Sequence, residues 1–134
     1  MTNPEKEQAQ VLEAHELQHV YLENLGTGDF AIKPLPRSLH MAPIQDFHVE
    51  DLDQDGWLDV LAVGNAYDTE VKIGRYDAFK GAWLKGGPGG TFELKLGPSC
   101  GFHADKDARN LARLELANGD LAFLVANKYV CDSW

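Results

Sequence analysis

Asp51-Leu-Asp53-Gln-Asp55-Gly56-Trp57-Leu58-Asp59 runs directly into Val60-Leu-Ala-Val63, so that an acidic cluster passes without a break into an apolar run. Four carboxylates grouped around one glycine repel one another, by about 4 kcal/mol for a pair roughly 4 Å apart at an effective dielectric of about 20. A hard divalent cation removes that repulsion. Ca2+ takes about six to eight oxygen ligands, and carboxylates at the first, third and fifth positions with glycine at the sixth let a short loop wrap it. The expected ligands are the side chains of Asp51, Asp53, Asp55 and Asp59 and the backbone carbonyl of Trp57, with Gly56 permitting the sharp turn. The plain alternative is a solvated acidic turn, because Asp and Gly are ordinary turn residues.

The flanks say which kind of loop this is. An EF-hand closes with a bidentate Glu at its twelfth position, where this chain has Ala62. Pro43 interrupts the segment before the loop, and Leu58-Asp-Val-Leu-Ala-Val63 after it is a β-branched apolar run. Both features argue for strands on either side.

Working outward, the chain reads as two copies of one unit. Tyr21-Leu-Glu-Asn-Leu-Gly-Thr-Gly-Asp-Phe30 aligns with Trp83-Leu-Lys-Gly-Gly-Pro-Gly-Gly-Thr-Phe92 at a spacing of 62, and Asp55-Gly-Trp-Leu-Asp-Val-Leu-Ala-Val-Gly64 aligns with Asn118-Gly-Asp-Leu-Ala-Phe-Leu-Val-Ala-Asn127 at a spacing of 63. The expected strands lie near 18–25, 29–34, 44–50 and 57–63, then 80–86, 91–96, 109–116 and 120–126. The organisation expected is an N-terminal extension (1–17), a first unit (18–64) with the calcium loop, a connection (65–79), and a second unit (80–134). In the second unit Leu114, Leu116 and Ala122 stand where Asp51, Asp53 and Asp59 stand in the first, so only the first unit is expected to bind metal. The connection is long and aromatic. It is expected either to be packed by Tyr67, Tyr76 and Phe79, or to bring Asn65, Asp68 and Glu70 to the metal or to a recognition surface, with Arg75 pairing a carboxylate.

Composition bounds the function. At 134 residues, 44% hydrophobic and 25% charged, the chain is the size and make-up of one globular domain. Its net charge of −9 excludes nucleic acid and anionic membranes as natural partners, both of which need a positive surface. There is no apolar run long enough for membrane insertion, and the N-terminus lacks signal-peptide character. Cys100 and Cys131 allow one disulfide or two free thiols, and with His103 they supply only three zinc ligands without a paired Cys-x-x-Cys.

The strand-turn-strand Tyr21–Phe30, the Ala42-Pro43 before the calcium strand, the Asp-x-Asp-x-Asp-Gly-x-x-Asp loop and Thr69-Glu-Val-Lys-Ile-Gly-Arg-Tyr-Asp-Ala78 resemble the FG-GAP/VCBS repeat proteins that build β-propellers, including the cartilage-acidic-protein-like members. The resemblance implies an all-β chain of two four-stranded antiparallel blades and a structural Ca2+ tying two strands. It also implies an extracellular or periplasmic role in adhesion or ligand binding, not an enzyme. A propeller has about four to eight blades, and two would leave faces and edges uncovered. The chain is therefore expected to be a fragment that meets neighbouring blades of a larger propeller, or a homo-oligomer that closes on copies of itself. Three chains in a six-bladed ring are the simplest cyclic solution.

Two other classes compete. A carbohydrate-binding module would use Trp57, Tyr67, Tyr76 and Trp83 as exposed aromatics. A zinc hydrolase would use His15-Glu16-Leu-Gln-His19, which satisfies the H-E-x-x-H pattern if it is helical; residues 4–14 do have helical composition and predict a short N-terminal helix. Against the hydrolase, the repeat alignment makes His19-Val-Tyr-Leu a strand, which separates the two imidazoles. Lys85-Gly-Gly-Pro-Gly-Gly90 reads as a hairpin turn and not a phosphate cradle.

Overall fold

The computed structural model describes residues 12–128 apart from 71, 73, 98 and 99. It is all-β and antiparallel: β1 (Val20–Asn24), β2 (Phe30–Pro34), β3 (Ile44–Glu50), β4 (Asp59–Gly64), β5 (Ala82–Gly87), β6 (Thr91–Lys95), β7 (Ala108–Glu115) and β8 (Leu121–Asn127), with one 3-10 turn at Arg37–Met41. These strands fall within two residues of those expected. Residues 12–18 form no helix, and the rest of the expected N-terminal helix lies outside the described residues.

Pairing departs from the grouping by halves. The four-stranded sheet is β3-β4-β5-β6, which straddles the 65–79 connection, while β1-β2 and β7-β8 are separate two-stranded sheets. The physical reason lies in β4. Its run Val60-Leu-Ala-Val63 is apolar on both faces and is shut in almost completely, which suits a central strand and not an edge. It therefore pairs on both sides, with β3 through Glu50↔Asp59 to Ile44↔Gly64 and with β5 through Val60↔Leu84, Leu61↔Trp83 and Ala62↔Ala82. Meanwhile Pro34 and Pro36 turn the chain away from β2, and Leu39, fully buried in the 3-10 turn, seats that turn under the sheet.

Each face of the central sheet has its own core. Ala62, Ala82 and Leu84 join Leu39, Ala42 and Phe79 on one side, and Leu61 and Val63 meet Ala104, Ala108 and Leu111 on the other, where β7-β8 lies. The β1-β2 hairpin meets the first side at its rim, through Tyr21 set edge-on to Phe92 at 5.4 Å and Lys33 Nζ donating to the Gly89 carbonyl at 2.9 Å. Hairpins β3-β4 and β7-β8 share a register shift at the same place, between Ile44 and Asp46 in one and Ala108 and Asn110 in the other.

Two glycines in the sheet are fixed by close approach. A Cβ on Gly86 would lie 2.1 Å from the Leu58 carbonyl oxygen, and one on Gly64 would lie 2.2 Å from that of Pro43. Gly86→Ala is expected to destabilise by about 1–3 kcal/mol through backbone displacement, and Leu84→Ala by about 2–5 kcal/mol through an uncollapsed cavity. Urea unfolding followed by circular dichroism checks both; wild-type midpoints would refute the packing described.

Candidate metal loop

The acidic loop, residues 51–58, crosses from β3 to β4 and is organised by its own carboxylates. Asp51 accepts from the Asp55 N–H at 3.1 Å and the Gly56 N–H at 2.9 Å, and Asp55 accepts from the Trp57 N–H at 3.0 Å. Gln54 and Gly56 sit at φ of 60° and 91°. Glycine carries this conformation freely, whereas Gln54 is held in it by the hydrogen bonds around it. Leu52 points inward and packs against the Leu61 and Val63 cluster.

Asp59 fastens this loop to the sheet. It is fully buried, and its two oxygens accept from the Leu52 N–H at 3.1 Å and the Gly86 N–H at 2.7 Å. A buried carboxylate needs such donors, because leaving it unpaired would cost several kcal/mol. The close approach of Leu58 to Gly86 is what brings the second donor within reach.

Three of the expected ligands converge. Asp51, Asp53 and Asp59 each present a carboxylate oxygen, all within 4.8 Å of one another. Asp55 turns to Lys85, whose Nζ lies 2.6 Å from it and also contacts Asp53. The Lys85 hydrogen bond, with that of the Trp57 N–H, holds Asp55 below the usual carboxylate range, and the two carboxylates push Lys85 up. Trp57 is half exposed and lines an apolar cavity of about 760 Å3 between the β1-β2 hairpin and the central sheet.

Lys85 and Gly86 are neighbours of the loop carboxylates that the motif does not contain. Their only signal is the Gly-rich turn at 85–90, which by itself reads as a hairpin. Of the two readings of the connection, Asn65 does not follow the one that brings it to the metal or to a recognition surface: it is a buried clamp. Its Nδ2 donates to the carbonyls of Phe79 at 2.7 Å, Lys106 at 3.0 Å and Asp105 at 3.3 Å, and its Oδ1 accepts from the Phe79 N–H at 3.0 Å. Asp68 pairs with Lys128, and Arg75 lies over the Tyr67 ring at 5.1 Å. Phe79 packs the connection as expected, whereas Tyr76 remains exposed.

The competing sites are not assembled. His15 is exposed beside Glu13, Glu16 accepts from the Gln18 N–H, and His19 Nε2 contacts the Ala42 carbonyl at 3.1 Å. With 12–18 irregular, no helix face gathers the two imidazoles. Trp83 packs against the core cluster beside β7 and is not an exposed aromatic. Cys100 is a free thiol, and Cys131 lies outside the described residues. No protein-family model, curated protein or solved structure matches the chain.

Acid should loosen this end of the molecule. Asp55 is lowered from an ordinary value of 3.8, and Glu50 from 4.5 by the His48 hydrogen bond and by Arg113. A carboxylate whose folded pKa is depressed adds stability that is complete above its unfolded pKa and is lost as pH falls through its folded pKa. Metal-free protein is therefore expected to keep its stability from neutrality to about pH 5 and lose it progressively below about pH 4. Asp55→Asn/Glu50→Gln should flatten that fall in urea unfolding; an unchanged slope would remove these two groups as its cause.

Proposed function

We propose that the chain is a calcium-binding, β-propeller-like repeat module of the FG-GAP/VCBS type, whose metal is structural and whose work is binding or assembly. The observation that carries the reading is the convergence of Asp51, Asp53 and Asp59 on one point of a loop already fastened to the sheet by Asp59. The donor set is all carboxylate oxygen, which suits a hard cation. Each Asp59 oxygen that accepts one N–H keeps a further lone pair. The Lys85 ammonium between Asp53 and Asp55 already marks the place as one that takes positive charge.

A bound Ca2+ would neutralise Asp51, Asp53 and Asp59 and draw the loop onto the β4 and β5 ends. Extracellular sites of this class have dissociation constants on the order of 10⁻⁴ to 10⁻³ M. At ten times the dissociation constant, binding stabilises the fold by about 1.4 kcal/mol, enough to order a loop and too little to make folding depend on metal. Millimolar calcium outside the cell or in a periplasm matches that range. No helix among the described residues is long and apolar enough to cross a membrane.

Lys85 favours a second reading, in which the lysine alone neutralises the loop and no metal is taken. Calorimetric titration of Ca2+ into metal-stripped protein separates the two. One site per chain is expected, abolished by Asp53→Ala/Asp55→Ala and tightened severalfold by Lys85→Gln, which removes a competing cation. Absence of binding at several millimolar in both wild type and Lys85→Gln would establish the lysine reading.

A further inference from the structure

We propose that β8 of one chain adds to the open edge of β1 of a second copy, so that the β7-β8 hairpin fills the apolar cavity beside the central sheet. This rests on the two-copy reading above. The register within the chain supplies the template. β4 corresponds to β8 at an offset of 63, and β5 to β1 at an offset of 62. The β4-β5 pairs Val60↔Leu84, Leu61↔Trp83 and Ala62↔Ala82 then become Phe123↔Leu22, Leu124↔Tyr21 and Val125↔Val20 between copies. The result is a second four-stranded sheet, β7-β8-β1-β2, shared by two chains.

Exposure marks the same surfaces independently. Leu61 is 4% exposed but its counterpart Leu124 is 58%; Leu84 is 2% exposed but its counterpart Leu22 is 54%. The residues are apolar at equivalent positions, and what differs among the described residues is the neighbouring strand. Within the described sheets β8 pairs only with β7, and β1 only with β2. A seven-residue apolar strand with an open edge invites strand addition.

The two faces also fit each other chemically. In the contact already formed within the chain, β7 packs on the central sheet with Arg113 Nε 2.9 Å from Glu50 Oε2. Structural pairing equates Glu50 with Leu114 and Val49 with Arg113. At the contact between copies, that ion pair is therefore replaced by Leu114 against Val49. Charge meets charge at one interface, and apolar meets apolar at the other. Ala112, Leu114, Leu124 and Ala126 form the outward face of the hairpin and are all exposed. The cavity that receives them is lined by Phe47, Val49 and Val60, of which Phe47 and Val49 are exposed. Because the surfaces are different patches of the same chain, the contact is head-to-tail, and it makes a ring where its rotation closes and an open chain of copies where it does not.

The test is register-specific cross-linking in full-length chains carrying Cys100→Ser/Cys131→Ser. Chains with Tyr21→Cys are mixed with chains with Leu124→Cys under mild oxidation; a disulfide-linked dimer is expected. Leu22→Cys mixed with Leu124→Cys should give little, because Leu22 falls opposite Phe123 and points to the other face. Analytical ultracentrifugation of wild type should show self-association, weakened at least about tenfold by Leu124→Asp, with the circular dichroism of the fold retained. A monomer at about 100 µM without cross-linking, or cross-linking equal in both registers, would overturn the proposal. A monomer that still binds Ca2+ would overturn this contact and leave the metal reading standing.

Discussion

The buried carboxylate of Asp59 is the point on which the rest of the molecule turns. It begins β4, an interior strand buried along nearly its whole length, and it holds donors from the loop before it and from β5 beside it. One side chain thereby sets the end of the β4-β5 pairing, the lie of the acidic loop and the distance of Leu58 from Gly86. Burying a charge is costly unless each oxygen is paired, so none of these three features can relax without exposing the others to that cost.

The strands were legible in the sequence because they depend on local alternation and turn residues. β5 alternates in burial residue by residue with Ala82 and Leu84 inward, as its sequence implies, whereas β3 alternates in the opposite sense, with Phe47 and Val49 exposed and Asp46, His48 and Glu50 half-buried. The partition into sheets was not legible in the same way. It depends on contacts across the connection, where Asn65 clamps Phe79 and where β5 passes close enough to Leu58 to exclude a side chain at residue 86. A glycine in a run of glycines carries no mark of which one faces a backbone. Lys85 is hidden likewise, since its partners lie more than two dozen residues away in the chain.

The acidic motif forms a loop between strands, as its flanks imply, and its first, second and last carboxylates meet. Asp55 shows the limit of motif reading. Spacing says which residues are near a centre, and the neighbouring strand decides which of them another charge takes first. The H-E-x-x-H pattern shows the opposite limit: its spacing has chemical meaning only on a helix, and residues 12–18 do not form one.

Asn65 has a consequence for what the fold tolerates. Its amide exchanges two hydrogen bonds with the backbone of Phe79, imitating the pairing of two strands with one side chain. The base of the 65–79 connection is thereby shut regardless of what lies between. Lengthening a closed loop costs only about 0.6 kcal/mol per doubling. The segment between Tyr67 and Tyr76 is thus a natural insertion point, where foreign peptides can be displayed without disturbing the sheet beneath.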